Sequence, residues 1–375
     1  MHIISINQKH PDYYGKRLNS SFESKQNIRR NLLWAVIFLV IAAASIYTVK
    51  KVSGDFSFRR LAELYRNAAN LPLLLALAAL FGYIAFESLS LKTLLKSFGH
   101  KCSFGQSVVF TSADMYFSAI TPSATGGQPA CGYFMVRSGV PASCVTVCLV
   151  FNLAMYTLSI IIIALGAMII NPGVFNFFGA GAKVLILLGA LGLLILASLA
   201  ILVTAKRSTI DWLGRFAGRV GKKLRIIKNS TDEASLIQWV EDYKRYADQL
   251  SGHGPALIKS LIFNVLHRLC QLSITMFMYI AIFSNSSMPL KQVINNGLSL
   301  LGTQSLISIG STFIPIPGAM GYTDLMMLNA FEKIMSDADA ASLELMSRFV
   351  SFYLSVTICF FIVLIYSIVK NRKRK

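Results

Sequence analysis

Asp114, Arg268 and Asp324 stand within or beside long apolar stretches of this 375-residue sequence, where an ionisable side chain is costly and marks a functional site by default. Other polar groups recur at spacings that would bring them to the same places. Gln128 follows the Gly126-Gly127 pair, Arg137 closes the segment after it, and Glu332 lies two helical turns beyond Asp324 on nearly the same face. Asn264, Arg268, Gln271 and Thr275 fall at helical spacing, a polar stripe that must face protein or water. His267 lies beside Arg268 on a different face. A guanidinium deep in a cavity suits a phosphate, because its planar donors reach two oxygens at once. Carboxylates such as Asp114 and Asp324 suit a cationic group or a coupling proton, and a cavity carrying both signs suits a zwitterionic or aminoacylated headgroup. The competing reading of Arg268 and Asp114 is a structural ion pair. Glu87 and Arg348 lie nearer the ends of their apolar runs, where snorkelling anchors are the plainer explanation.

The elements that must position these groups are membrane helices. Hydrophobic residues make up 54% of the chain and charged ones 14%, and mean hydropathy is +0.58, which excludes an ordinary soluble domain. The apolar runs are long and unbroken, unlike the alternating segments of a β-barrel. The balance of 36 Lys and Arg against 17 Asp and Glu, net +19, would suggest nucleic acid in a soluble protein. In a membrane protein it reads as basic cytoplasmic loops meeting anionic lipid, and no DNA partner is expected. The six cysteines include no CxxC pair and the five histidines are dispersed, so neither a metal site nor a disulfide framework is indicated. No phosphate-binding GxxxxGK[ST] loop, HExxH or GxSxG motif is present, an ATP-driven pump is not indicated, and no cofactor is expected.

Runs long enough to span lie at 31–49, 71–91, 142–170, 183–204, 256–283 and 343–369. Six spans put both termini on one side. The basic segment 1–30, too polar for a cleaved signal peptide, and the tail 370–375 make that side cytoplasmic. The stretches 92–104 and 205–255 then also fall inside, the latter with ten Lys and Arg in a basic, amphipathic connection suited to lying against anionic lipid. The segments 171–182 and 284–296 fall outside. The basic stretch 50–70 disagrees with this scheme and is accommodated as an interfacial helix. Two apolar segments, 105–139 and 297–335, break at Gly and Pro and continue in arms too short to span, the pattern of re-entrant hairpins. The expected fold is all-α and polytopic: six full transmembrane helices plus two oppositely oriented re-entrant hairpins. Residues 31–170 and 183–369 form an inverted repeat. Broken backbone at membrane depth survives only where protein or a wet cavity satisfies it, so the hairpins should line a cavity.

The segment Ile120-Thr-Pro-Ser-Ala-Thr-Gly-Gly-Gln-Pro129, with Arg137 downstream, and the segment Pro315-Ile-Pro-Gly-Ala-Met-Gly-Tyr-Thr-Asp324 resemble the lysylphosphatidylglycerol synthase transmembrane-region family. That family includes the flippase domain of the multiple peptide resistance factor, and the resemblance covers nearly the whole chain. It implies a plasma-membrane protein that moves phospholipid between leaflets, in some members lysyl-phosphatidylglycerol, lowering surface negative charge and giving resistance to cationic peptides. The second motif usually reads PxPGxxGxxE, and here Asp324 holds the acidic position with a shorter reach. Full-length synthases add a cytoplasmic lysyl-transfer domain, which a chain ending at Lys375 is expected to lack. The alternative is the membrane part of a phosphatidylglycerol lysyltransferase, its 205–255 segment meeting tRNA or a separately encoded lysyl-transfer domain. Membrane phospholipids are the expected partners, and the sequence leaves a homo-oligomer open. The expected headgroup contacts are Gln128, Arg268 and Asp324 with Gly126, Gly127, Asn264 and Gln271; Asp114, Arg137, Glu332, Glu87 and Arg348 are expected to support or couple.

Overall fold

The computed structural model describes residues 58–121, 124–223, 230–312, 314 and 322–372. The expected span 31–49 and most of the Pro315–Asp324 motif lie outside the described residues. Every regular element among the described residues is helical: α1 (Phe58–Asn67), α2 (Asn70–Ser97), α3 (Phe104–Ile120), α4 (Gly127–Arg137), α5 (Ala142–Ile170), α6 (Ala180–Ala205), α7 (Arg207–Lys223), α8 (Ser230–Ser251), α9 (Gly254–Phe283), α10 (Leu290–Ser311), α11 (Tyr322–Phe331), α12 (Asp337–Arg348) and α13 (Ser355–Arg372). Helices α2, α5, α6 and α9 and the nearly continuous α12–α13 rod are each long and apolar enough to cross a membrane. A wider turn at Phe349–Leu354 joins the two parts of that rod.

Local sequence sets the ends. Ser103 and Gln106 form a reciprocal capping box, the Ser103 hydroxyl accepting from the Gln106 amide at 3.2 Å and the Gln106 side chain accepting from the Ser103 amide at 2.9 Å. Pro255 sits in the first turn of α9, where its missing N–H costs nothing. Gly99 and Gly139 take φ values of +79° and +96° in the turns after α2 and α4, a region open to glycine.

Helices α3 and α4 pack against each other and return the chain to the end of the bundle where α2 finished; there Lys370 donates to the Arg137 carbonyl at 2.8 Å. Helices α10 and α11 form a second pair at the opposite end, where Asn171 bonds Ser299 at 2.8 Å and Asn285 bonds the Asn67 carbonyl at 3.2 Å. The leading arm of the second pair begins at Leu290, so half of the expected 284–296 loop is helix. Its polar residues serve packing: Asn296 donates to the Tyr279 hydroxyl at 3.0 Å.

A polar knot ties α2 and α9 to α5. The Ser90 hydroxyl donates to Asn152 at 2.7 Å and accepts from the Asn264 amide at 2.8 Å, and Asn264 also bonds the Ser260 carbonyl at 2.9 Å. These bonds hold α2, α5 and α9 in register inside an apolar bundle.

Part of the 205–255 connection docks on protein. Val240, Tyr243, Ala247 and Leu250 of α8 are buried against Leu94, Leu95, Phe98 and Cys144, so α8 docks on protein. Burial there pushes the Tyr243 phenol up to about 12. Lys244 clasps α7 through Asp211 at 2.5 Å, while Trp212 and Phe216 of α7 stay about half exposed.

Helix α6 crosses the end of α10 closely enough that a side chain at Gly189 would strike the Ile309 carbonyl, and Gly310 packs on Ile186 in turn. Gly189→Leu is therefore expected to lower the thermal midpoint in detergent by an overpacking cost of about 1–3 kcal/mol. An unchanged midpoint would show that α10 yields without penalty.

Candidate functional site

A cavity of about 720 Å³ opens between the α3–α4 and α10–α11 pairs and collects polar groups from both halves of the chain. Its volume lies within the range of ligand pockets. On one wall stands Arg268. Its guanidinium lies over the Tyr156 ring, 3.9 Å from the centroid, and Nη1 donates to Gln271 Oε1 at 2.6 Å. The ring contact and the hydrogen bond position the guanidinium, while Nε is buried without a hydrogen-bond partner among the described residues. A held cation with an unmet donor is a ready partner for an anionic oxygen.

Beside it, Glu87 and Asp114 face each other within hydrogen-bonding reach. Asp114 accepts from Gln128 Nε2 and from the Ser118 hydroxyl, each at 3.3 Å. His267 Nδ1 lies 2.7 Å from the Tyr83 carbonyl and 3.7 Å from Glu87 Oε2; the shorter contact requires an Nδ1 proton, so the ring is directed by backbone first. The turn before α4 is tight. Ala124, on the cavity wall, takes φ of +55°, a left-handed conformation that strains a residue with a side chain.

Gly127 explains why the Gly-Gly pair precedes Gln128. A Cβ there would collide with the Asp114 carboxylate and the Ser118 hydroxyl, and one at Gly126 would come within 2.6 Å of Thr121 Cγ2. These glycines admit close packing of α4 on α3 and leave Asp114 its place. Gly127→Val is expected to displace Asp114 and lower the thermal midpoint, at a cost of about 1–3 kcal/mol. Gly166→Ala in α5, where no described residue lies within 4 Å of the added carbon, is the control. Equal midpoints for the two variants would refute the packing role.

The other wing is an ion cluster. Arg348 pairs with Asp324, donates from Nη2 to the Thr323 hydroxyl at 3.0 Å and from Nε to Glu344 Oε1 at 3.3 Å. Gln304 donates to the Thr275 hydroxyl at 2.5 Å, joining α10 to α9 on the same wall.

The cavity thus brings together Gln128, Arg268, Gln271, Asp114, Glu87 and Arg348 among the residues singled out by sequence. Asp324 is fully buried just behind the wall, held by Arg348. Five residues are placed otherwise. Asn264 spends its amide in the α2–α5–α9 knot, because the stripe it belongs to is wide enough to face both protein and cavity. Gly126 and Gly127 lie off the cavity lining, where they admit close packing of α4 on α3. Arg137 closes α4 away from the cavity, beside Tyr133 at 3.4 Å. Glu332 is exposed at the end of α11.

The anchor reading of Glu87 and Arg348 is corrected. They are 5% and 8% exposed and turn inward to partners instead of snorkelling. Glu344, Gln304 and Tyr156 are cavity residues absent from the sequence-based set. The i, i+4 spacing of Glu344 and Arg348 at the start of the last apolar run was the available signal for the first.

A family model described as the lysylphosphatidylglycerol synthase TM region matches residues 32–359. No curated protein matches the chain.

Proposed function

We propose, from the premise that this chain belongs to the lysylphosphatidylglycerol synthase TM-region family and is a multi-pass membrane protein, that it translocates a phospholipid between leaflets. The observation that carries this reading is Arg268, held over the Tyr156 ring with an Nε donor that no described residue meets, in a cavity that also presents carboxyl groups. A phosphodiester would meet Arg268 and Gln271, and a cationic headgroup portion would meet the carboxyls across the cavity. Both signs suit a zwitterionic or aminoacylated lipid such as lysyl-phosphatidylglycerol. Acyl chains would remain in the surrounding bilayer.

In this reading α3–α4 and α10–α11 are re-entrant hairpins entering from opposite faces, the two broken elements of an inverted repeat. Support comes from the chain path: each pair returns to the end of the bundle at which it began. The termini would be cytoplasmic and the membrane the plasma membrane, where outward movement of a cationic lipid would lower surface negative charge and protect against cationic peptides.

The test is leaflet accessibility of a headgroup-labelled phospholipid in proteoliposomes, quenched from outside. Loss of the protected inner-leaflet fraction on adding the purified chain is expected. Protection equal to that of empty liposomes would reject the reading. Lysyl-phosphatidylglycerol formed by this chain from lysyl-tRNA and phosphatidylglycerol would replace it with the lysyltransferase reading.

A further inference from the structure

Glu344 and Ser347 lie one helical turn apart on α12, each 2% exposed, and both line the cavity. Among the described residues, neither Glu344 Oε2 nor the Ser347 hydroxyl has a hydrogen-bond partner. The other carboxyl oxygen, Oε1, accepts from Arg348 Nε at 3.3 Å, a long contact for a charge-assisted bond. Arg348 is already engaged by Asp324 on α11 and by Thr323. Among the described residues Arg348 is the cation in ion-pair contact with Glu344, and it is shared with a second carboxyl.

The other described groups around this wall give Glu344 no further cation in contact. Tyr353, in the turn after α12, lies near Arg348. From α9, Thr275 and Gln271 are neutral, and Arg268 and His267 are engaged with Tyr156 and the Tyr83 carbonyl. Glu87 and Asp114, from α2 and α3, face each other elsewhere on the cavity wall. Helix α1, which also touches α12, carries Arg59, Glu63 and Arg66, all exposed.

A buried carboxylate oxygen without a donor is costly, and two things can relieve it: a proton on that oxygen or a cationic group arriving in the cavity. Those two states exclude each other at one oxygen. We propose that Glu344 is a proton site of the cavity, carrying its proton on Oε2 when no cationic group is bound and releasing it when one binds. In the release step the O–H bond at Oε2 breaks, the proton passes to water in the cavity, and the carboxylate meets the incoming cation, with Ser347 turning to donate to it. No electrons move and no co-reactant is needed. The transport consequence rests on the translocation reading: inward movement of a proton would accompany outward movement of a cationic headgroup. The proton site itself does not rest on it.

Two measurements separate those parts. In lipid nanodiscs, infrared titration between about pH 5 and 9 should show a carboxyl C=O band that is present in the wild type and missing in Glu344→Gln, which retains an acceptor for Arg348. Identical spectra overturn the proton site. Protonated carboxyls elsewhere would appear in both samples and serve as the internal reference. In proteoliposomes, opposite gradients of about one pH unit, a factor of ~10 in proton activity, should give wild-type translocation rates that differ severalfold. Glu344→Gln should translocate equally under both. Wild-type rates indifferent to the gradient overturn the coupling. A wild type that translocates nothing rejects the translocation reading, and the infrared result then decides the proton site alone.

Discussion

Arg268→Ala is expected to slow phospholipid translocation by about 10- to 100-fold, the effect of losing charge-assisted hydrogen bonds worth roughly 1.5–3 kcal/mol. The expectation follows from how Arg268 is held. Its guanidinium rests on Tyr156 and is braced by Gln271, so its orientation is set before any ligand arrives and little rotamer entropy is lost on binding. Arg268→Lys keeps the charge but loses the planar fork and the stack, and should fall between the two. Thermal midpoints of both variants should stay near the wild type, since the nearby helix contacts run through Asn264 and Ser90 instead. Translocation by a folded Arg268→Ala at the wild-type rate would remove the phosphate contact from the account.

Arg348→Met should have the largest effect on stability. It leaves Asp324 and Glu344 buried without their common cation, a loss of roughly 3–5 kcal/mol for breaking a buried pair. Replacing the whole cluster should behave differently, because neutral groups of similar shape carry no desolvation penalty. Arg348→Met combined with Asp324→Asn and Glu344→Gln is therefore expected to recover much of the lost thermal midpoint while remaining unable to couple to a pH gradient. Failure of the single variant to shift the midpoint would mean that the cluster is hydrated rather than buried, and recovery no better than the single variant would contradict the charge explanation.

Much of the helical framework was legible because a membrane imposes simple rules. The run 142–170 coincides with α5, and 256–283 with all but two residues of α9. The run 71–91 stops short of α2, which continues through Lys92 and Lys96 to Ser97, since a helix keeps its hydrogen bonds after its side chains become polar. For the same reason the polar start of α10 read as a loop.

The candidate site was legible where rarity was the signal. Arg268, Asp114 and Gln128 stood out because charge and broken backbone are uncommon in lipid. The sequence could not separate faces. Asn264 and Arg268 belong to one stripe, yet one joins helices and the other faces the cavity. Amphipathic periodicity likewise does not say whether α8 meets lipid or protein, and only its docking against Leu94 and Phe98 distinguishes them. Glu344 was hidden at the margin of the last apolar run, where a carboxyl resembles an interfacial residue, although in the fold it is buried on α12.

The most direct measurement is a cryo-electron microscopy map of the protein in nanodiscs containing an aminoacylated phospholipid. The account predicts headgroup density between the α3–α4 and α10–α11 pairs, with its phosphate against the Arg268 guanidinium and its amine toward Glu344. A cavity holding only water, with ordered lipid confined to the outer faces of the helices, would contradict it.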